Sequence, residues 1–469
     1  MSFARSVLQA VVLLCVLSSS AISAWAKPNF VFFMTDDQRF DQMGCAGHPY
    51  LRTPHMDRLA SEGARFRNAY VVVSLCGPNR ACIMTGLYSH ANGVRFNERP
   101  DVVDPKIPMF PQLLQKAGYE TAFLGKWHMP DAARSRDFDY YCGFLGQGSY
   151  WHAKLAEGSR NVIGPDIEQA EGHVDDIFGD RAEAFVRRKH DKPFCLFVWF
   201  KSPHRYPDPP ERHADLYRSA YIPDPPTLND DYAGRPEPVR LTEMKIGWTS
   251  DTSPWREFVR RRDACVKGVD DNVGKVLKAL DETGLAANTA VIFTSDNGFF
   301  QGEHGFFDKR LMYEESIRVP MLVRWPGVVK PGSLPESPAL SIDYAPTLLE
   351  AAGAEVPKSL QGRSLLPVLR GETPKDWRRR WWYEYDEFPG PHMVRAHRGV
   401  KVEERWKYIV WLMEPGGEEL YDLQTDPHEM KNLVNDPGSK DLLARMRKEF
   451  RGAKEEAGDP TDVPAMKGW

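Results

Sequence analysis

Four short runs constrain this chain more than any other feature. Asn29 to Met34, Phe194 to Phe200, Ala290 to Thr294 and Pro320 to Trp325 are rich in β-branched and aromatic side chains and are apolar on both faces. A strand with one wet face alternates. One that does not must be covered on both sides, as parallel strands are when helices pack over them. Helical patterns fill the gaps. Thr53-Pro54 supplies an N-cap and a first-turn proline, Met56, Leu59 and Ala60 form an apolar face, and Gly63 ends it. Phe110 to Ala117 closes at Gly118, and Val266 to Leu280 closes at Gly284, in the same manner. This alternation, over roughly 300 residues, predicts an α/β doubly wound sheet.

At 469 residues the chain is long enough for one large domain and a smaller one. Tyr206 to Pro238, rich in proline, aspartate and arginine, reads as a long loop with little regular structure. A break near Gly371 to Lys375 divides an expected catalytic domain, 27–372, from a C-terminal subdomain, 373–469. There, Gly399 to Leu412 and Glu418 to Leu423 read as antiparallel strands joined through Pro415-Gly416-Gly417, followed by a helix near Ser439 to Phe450.

Hydrophobic residues make up 42% and charged ones 27% of the chain, the balance of a soluble globular protein. A net charge of −4, without basic blocks, points away from a nucleic-acid partner. The amino terminus reads as a signal peptide, 1–26. Arg5 precedes an apolar run from Val7 to Leu17, and Ala24-Trp25-Ala26 forms a small-residue cleavage pattern before Lys27. The run is short for a membrane span, so no stable anchor is expected and the mature protein is periplasmic or secreted. Cys45, Cys76, Cys82, Cys142, Cys195 and Cys265 are too few and scattered for a disulfide scaffold, and Cys195 reads as a buried strand residue.

Three constellations carry chemistry. Two strands run into acidic or amide residues: Thr35-Asp36-Asp37 and Thr294-Ser295-Asp296-Asn297-Gly298. Ligands gather beyond the carboxyl ends of parallel strands, and three carboxylates with an amide oxygen there suit a hard cation, calcium or magnesium. Taken singly, each tetrad also makes a good turn. The second constellation is Ser74 to Gly86, where Pro78 fits a helical first turn. Cys76 then sits among free N–H groups with Arg80 one turn on. It reads as either a low-pKa thiol or an ordinary helix start with a half-buried cysteine. The third is a basic set, Gly125-Lys126-Trp127-His128, Ser202-Pro203-His204 and His304 to Lys309, able to meet an anionic substrate and its leaving group.

Cys76-Gly77-Pro78-Asn79-Arg80 resembles the C-x-P-x-R signature of type I sulfatases, in the alkaline-phosphatase superfamily. The resemblance extends, in the family's order, through Pro28 to Asp37, Thr53 to Gly63, Gly125 to His128, Ser202 to His204, Thr294 to Gly298, Gly302 to Pro320 and Glu419 to Glu429. It implies an alkaline-phosphatase-like α/β fold, a large mixed, mostly parallel sheet flanked by helices with a smaller C-terminal antiparallel sheet plus helix, and a sulfate-ester hydrolase. It also implies that a formylglycine-generating maturation enzyme oxidises Cys76 to formylglycine (3-oxoalanine). Asn79 stands where serine is commonest, outside the minimal recognition pattern. The hydrated aldehyde carries two hydroxyls. One attacks sulfur and displaces the alcohol; the other expels sulfate by C–O cleavage and restores the aldehyde.

By the same resemblance, Asp36, Asp37, Asp296, Asn297 and modified Cys76 would bind calcium, with magnesium less favoured. Arg80 and Lys126 would hold the diol and sulfate. His128 would take the diol's proton during sulfate release, while His204 and Lys309 would contact the sulfate and leaving oxygen, His204 as general acid. His304 is a candidate at greater remove. The stretch from Glu384 to Val400 is similar to the corresponding segment of N-acetylglucosamine-6-sulfatases and related glycan sulfatases, which makes His392, Arg395 and His397 candidate substrate-binding residues. Hydrolysis of a sulfated carbohydrate is the expected activity. A phosphate or phosphonate monoester hydrolase and a non-catalytic glycan-binding relative are the alternatives.

Overall fold

The computed structural model describes residues 27–97, 103–129, 137–159, 166–167, 169–246, 254–413 and 416–468. The expected signal peptide lies outside them, as does Pro415 of the expected turn. No helix among the described residues is long and apolar enough to cross a membrane. The six cysteines among the described residues are all unpaired.

A nine-stranded sheet organises the molecule. In chain order its strands are β1 (Asn29–Thr35), β2 (Ala64–Arg65), β3 (Glu120–Lys126), β4 (Tyr140–Phe144), β5 (Leu155–Gly158), β6 (Asp166–Ile167), β7 (Phe194–Trp199), β8 (Thr289–Ser295) and β9 (Met321–Arg324). Across the sheet they run β2-β9-β8-β1-β7-β3-β4-β5-β6. The central strands β8, β1, β7, β3 and β4 are parallel. The flanks are antiparallel, β9 included. Pro320 to Trp325 therefore departs from the parallel expectation. Burial on both faces shows that a strand is covered, but not which way it runs.

Every residue of β1 is buried, and its side chains feed two cores. Phe30, Phe32 and Met34 point to the side packed by α2 (Cys76–Thr85), α3 (Phe110–Lys116) and α6 (Tyr344–Ala351). Val31 and Phe33 point to the side packed by α1 (Pro54–Ser61), α4 (Val174–Arg187) and α5 (Pro254–Glu282). Pro54 holds the first turn of α1 as expected. Thr53 does not cap it through its side chain, because its hydroxyl instead joins Gly44 N and Asp57 Oδ1. The helix expected from Val266 begins at Pro254, twelve residues earlier by sequence number. Its first turns carry Arg256, Arg260, Arg261 and Arg262, whose charge hides the apolar period.

The C-terminal part of the chain forms a four-stranded antiparallel sheet, β10 (Arg380–Tyr385), β11 (His397–Val402), β12 (Trp406–Trp411) and β13 (Gly417–Asp422), covered by α7 (Lys440–Ala457). The expected strand Gly399 to Leu412 is thus two strands, turned at Glu403 and Glu404, which both take left-handed φ. β10 was not anticipated. Its tyrosines and tryptophans are buried among the tails of both units.

Candidate active site

The strand ends build the site. After β1 the chain turns sharply: Asp37 takes φ 74°, a left-handed conformation uncommon outside glycine. Its backbone N–H donates to Asp296 Oδ1 at 3.0 Å, and the next N–H, of Gln38, donates to Ser295 Oγ at 2.8 Å. The ends of β1 and β8 are thereby stitched together, which throws Asp36, Asp37, Asp296 and Asn297 into one crevice. Lys126 comes from the end of β3. The strands approach closely there, since a Cβ on Gly125 would lie 1.9 Å from Trp199 O. Glycine is required at that position.

Cys76 is the first residue of α2, as Pro78 predicted, and is 1% exposed. Its Sγ lies 3.5 Å from Asp36 Oδ1, 3.6 Å from Asn297 Nδ2 and 3.1 Å from Lys309 Nζ. Burial, with Asp296 and Asp36 beside it, pushes the thiol up against the pull of Lys309 and Lys126. The low-pKa thiol reading is not what this environment makes; a neutral buried thiol is a poor nucleophile.

Asp36, Asp37, Asp296 and Cys76 offer ligand atoms that all lie within 4.8 Å of one another. Arg80 pairs with Asp296, Nε to Oδ2 at 2.9 Å, and Lys126 and Lys309 bond to Asp36 and Asp37 respectively. Burial alone would raise the Asp36 carboxyl, but Lys126, His204, Arg80 and Lys309 outweigh it and hold it well below the usual range. Burial and the neighbouring Asp36 and Asp37 push Asp296 up to about 6, against Arg80 and Lys309. Two oxygens remain without a hydrogen bond, Asp37 Oδ2 and Asn297 Oδ1, both buried. Leaving such atoms unpaired is costly, and carboxylate and amide oxygens with unused lone pairs fit a hard cation.

The basic set converges on this crevice. His204 Nε2 is 3.9 Å from Asp37 Oδ2, while its Nδ1 is 2.6 Å from Arg205 O. Because a carbonyl only accepts, Nδ1 carries the proton. Burial, with Lys126 next, holds the ring well below its usual pKa, so Nε2 is bare in the substrate-free chain. His128, with φ 49° and an unpartnered Nδ1, is likewise kept neutral by burial, then by Lys126 and Arg80.

Among the outer candidates, His392 reaches the rim of the crevice. Its Nε2 is 2.8 Å from Asp308, next in sequence to Lys309, and 2.6 Å from Arg205 NH1. Arg395 is partly buried over the Phe388 ring. The structure does not bring His304 or His397 to the cluster. His304 is buried against Tyr313 and bonded to Asp230, and His397 is enclosed by Tyr383, Tyr385 and Trp411. Both histidines follow glycine-rich or polar stretches that look exposed in sequence, and long-range packing buries them.

Three neighbours were not anticipated. Arg262 of α5 is fully buried, donates to Pro203 O and Asp37 O, and lies over the Phe299 ring at 3.8 Å. It fixes the backbones that carry Asp37 and His204. Its place in a run of arginines looks like a solvated helix face. Lys201 and Gln147 flank Lys126: Lys201 Nζ donates to Gln147 O at 2.8 Å, and Lys126 Nζ to Gln147 Oε1 at 2.7 Å. Nothing in their local sequence marks either one.

Comparison with known proteins follows the same outline. Residues 28–354 match the family model described as Sulfatase, and residues 302–456 match that of the C-terminal region of N-sulphoglucosamine sulphohydrolase. The chain is 35% identical to an N-acetylglucosamine-6-O-sulfatase of Bacteroides thetaiotaomicron, over 92% of this chain and 86% of the relative. A solved structure of a protein in complex with its substrate D-glucosamine-2-N,6-O-disulfate superposes with a TM-score of 0.87 at 34% identity, covering 93% of this chain and 99% of that one. A phosphonate monoester hydrolase of Agrobacterium radiobacter shares the fold at a TM-score of 0.76 and 21% identity, over 92% of this chain and 96% of that one. A crevice of buried carboxylates at the head of a parallel sheet, a cysteine opening a helix above it and a family match over most of the length agree: this chain belongs to the sulfatase family and is a sulfuric ester hydrolase.

Proposed function

We propose that the chain hydrolyses sulfate esters on sugars of sulfated glycans, using a formylglycine made from Cys76 and a calcium ion held by Asp36, Asp37, Asp296, Asn297 and the modified residue. The observation that carries this reading is the pair of unpartnered oxygens, Asp37 Oδ2 and Asn297 Oδ1, in a crevice that also presents Cys76 Sγ. When bound, calcium supplies positive charge that polarises the sulfate group. The formylglycine hydrate supplies both the attacking hydroxyl and the hydroxyl that later expels sulfate.

The chain's own residues then divide the remaining work. Lys126, Lys309 and Arg80 balance the anion in a site closed to water, where fixed charges act strongly. His128, neutral with a free Nδ1, suits the acceptor of the diol's proton. His204 must gain a proton at Nε2 before it can donate to the leaving oxygen, and an arriving sulfate anion favours that imidazolium. Asp308, Arg205 and His392 form the adjoining rim. Beside Arg205 opens a cavity of about 390 Å³ lined by Tyr206, Trp255, Phe258 and Phe307, aromatic walls that suit a sugar ring. Arg395 completes the proposed substrate-binding group, and the relatives' sulfated-sugar substrates support this choice.

The reading includes export with cleavage near Ala26, a catalytic unit ending near residue 372 and dependence on a maturation enzyme. Parallel assays on an aryl sulfate, an aryl phosphate and a set of sulfated monosaccharides test the activity. Sulfate turnover should exceed phosphate turnover, with glucosamine 6-sulfates among the best substrates; faster phosphate turnover rejects the reading.

A further inference from the structure

Lys126 is fully buried, yet it is the group proposed to meet the sulfate. Its ammonium spends one N–H on Asp36 and a second on Gln147 Oε1 at 2.7 Å. Gln147 itself is exposed, within the exposed stretch 145–149. A solvent-facing amide thus reaches down onto the catalytic-site lysine. The loop that carries it is held: Lys201 Nζ bonds to the Gln147 carbonyl, and Leu145 O accepts from His128 N at 2.7 Å. With the main chain held at both points, rotation of the Gln147 side chain is the movement that would free this N–H of Lys126.

A neutral carbonyl oxygen on an ammonium is a weaker partner than an anionic oxygen in the same place. The exchange of one for the other therefore runs downhill when a sulfate group arrives, and the lysine is never left buried without an acceptor. We infer that Gln147 is a displaceable stand-in for substrate: its Oε1 holds on Lys126 the position that an oxygen of the sulfate group takes, and the incoming anion expels it. The displaced amide, on an exposed loop, is then free to hydrogen-bond the sugar. This inference rests on the proposed contact between Lys126 and sulfate.

Competition makes a signed prediction that a structural role does not. Gln147→Ala removes the competitor, so inorganic sulfate binds about tenfold more tightly, equivalent to about 1.4 kcal/mol. Gln147→Glu puts a carboxylate on the ammonium, so sulfate binds about tenfold more weakly. Titration calorimetry of the purified full-length protein with sodium sulfate measures both, and melting curves confirm that the exposed substitutions leave the fold intact. Opposite shifts sustain the inference. Gln147→Ala binding sulfate no tighter than wild type, or Gln147→Glu binding it no more weakly, overturns it. Lys126→Ala separates the two readings. Wild-type sulfate affinity in that variant removes the lysine–sulfate contact itself, whereas lost affinity alongside unresponsive Gln147 variants removes only the stand-in.

Discussion

Cys76 shows how little a residue says by itself. In sequence it opens a helix; in the fold it is a neutral, buried thiol with a lysine at 3.1 Å and an aspartate at 3.5 Å. Such a thiol gains nothing from being a cysteine once folded, which fits a residue whose chemistry is changed beforehand. Purified active protein should yield a Cys76 peptide whose mass reports a thiol exchanged for an aldehyde. Cys76→Ala should lose about a thousandfold or more in kcat, as removal of a nucleophile does, and near-wild-type turnover would refute the mechanism. The cation makes a separate prediction. Calcium that binds only the folded chain raises its melting temperature, by about 2.7 kcal/mol of stabilisation at one hundred times Kd. Asp37→Asn should abolish that response, read by calorimetry in calcium against chelator, because Asp37 offers one of the two unpartnered oxygens. An undiminished calcium shift in the variant would place the ion elsewhere.

At the scale of elements, β1 and β8 were legible because both faces of each strand are buried and each runs into acidic or amide residues, Asp36-Asp37 and Asp296-Asn297. Local motifs sufficed to bring Asp36, Asp37, Cys76 and Asp296 together as one group. Direction and extent were less legible. β9 runs antiparallel, α5 begins among arginines, and β10 went unseen, since each depends on partners far along the chain. Histidines suffered most from this. His392 reaches the rim, but His397 in β11 belongs to the subdomain core, its Nδ1 on Arg395 O at 2.9 Å. Burial holds its pKa down to about 4, below the roughly 6.5 of a free imidazole. The folded state therefore binds fewer protons than the unfolded one between those values. Its contribution is present above pH 6.5 and is lost as pH falls toward about 4. His397→Gln should melt lower at neutral pH yet lose less on acidification, with KM for a sulfated sugar unchanged. His392→Ala should do the reverse, raising KM and sparing the melting temperature. A raised KM in the His397 variant would restore it as a substrate residue.

Across the whole molecule, the two units share polar groups that neither satisfies alone. Tyr383 of β10 accepts from Ser74 N at 3.2 Å and donates to Arg310 O at 2.7 Å, bridging the lead-in to Cys76 and the residue after Lys309. Glu384 receives Ser89 Oγ, His90 N and His90 Nδ1, and its own N–H bonds to Val72 O. Lys401 of β11 meets Glu314 at 3.1 Å. His90, Glu384 and Asp459 together have the spacing of a metal site. Arg398 and Trp382 already occupy Asp459, however, so the cluster is a closed polar joint. Separating the two parts would break these bonds, each worth about 0.5–1.5 kcal/mol net, or about 1.5–3 kcal/mol where one partner is charged. The chain should therefore unfold in one cooperative heat transition despite its two large sheets. Tyr383→Phe should lower stability by about 1–3 kcal/mol through the stranded Ser74 N–H. It should also lower kcat, because the same hydroxyl sets the backbone on either side of the nucleophile and Lys309. Two resolved transitions in calorimetry, or a Tyr383→Phe enzyme with lowered stability but untouched kcat, would show that the C-terminal sheet is an appendage and not a wall of the active site.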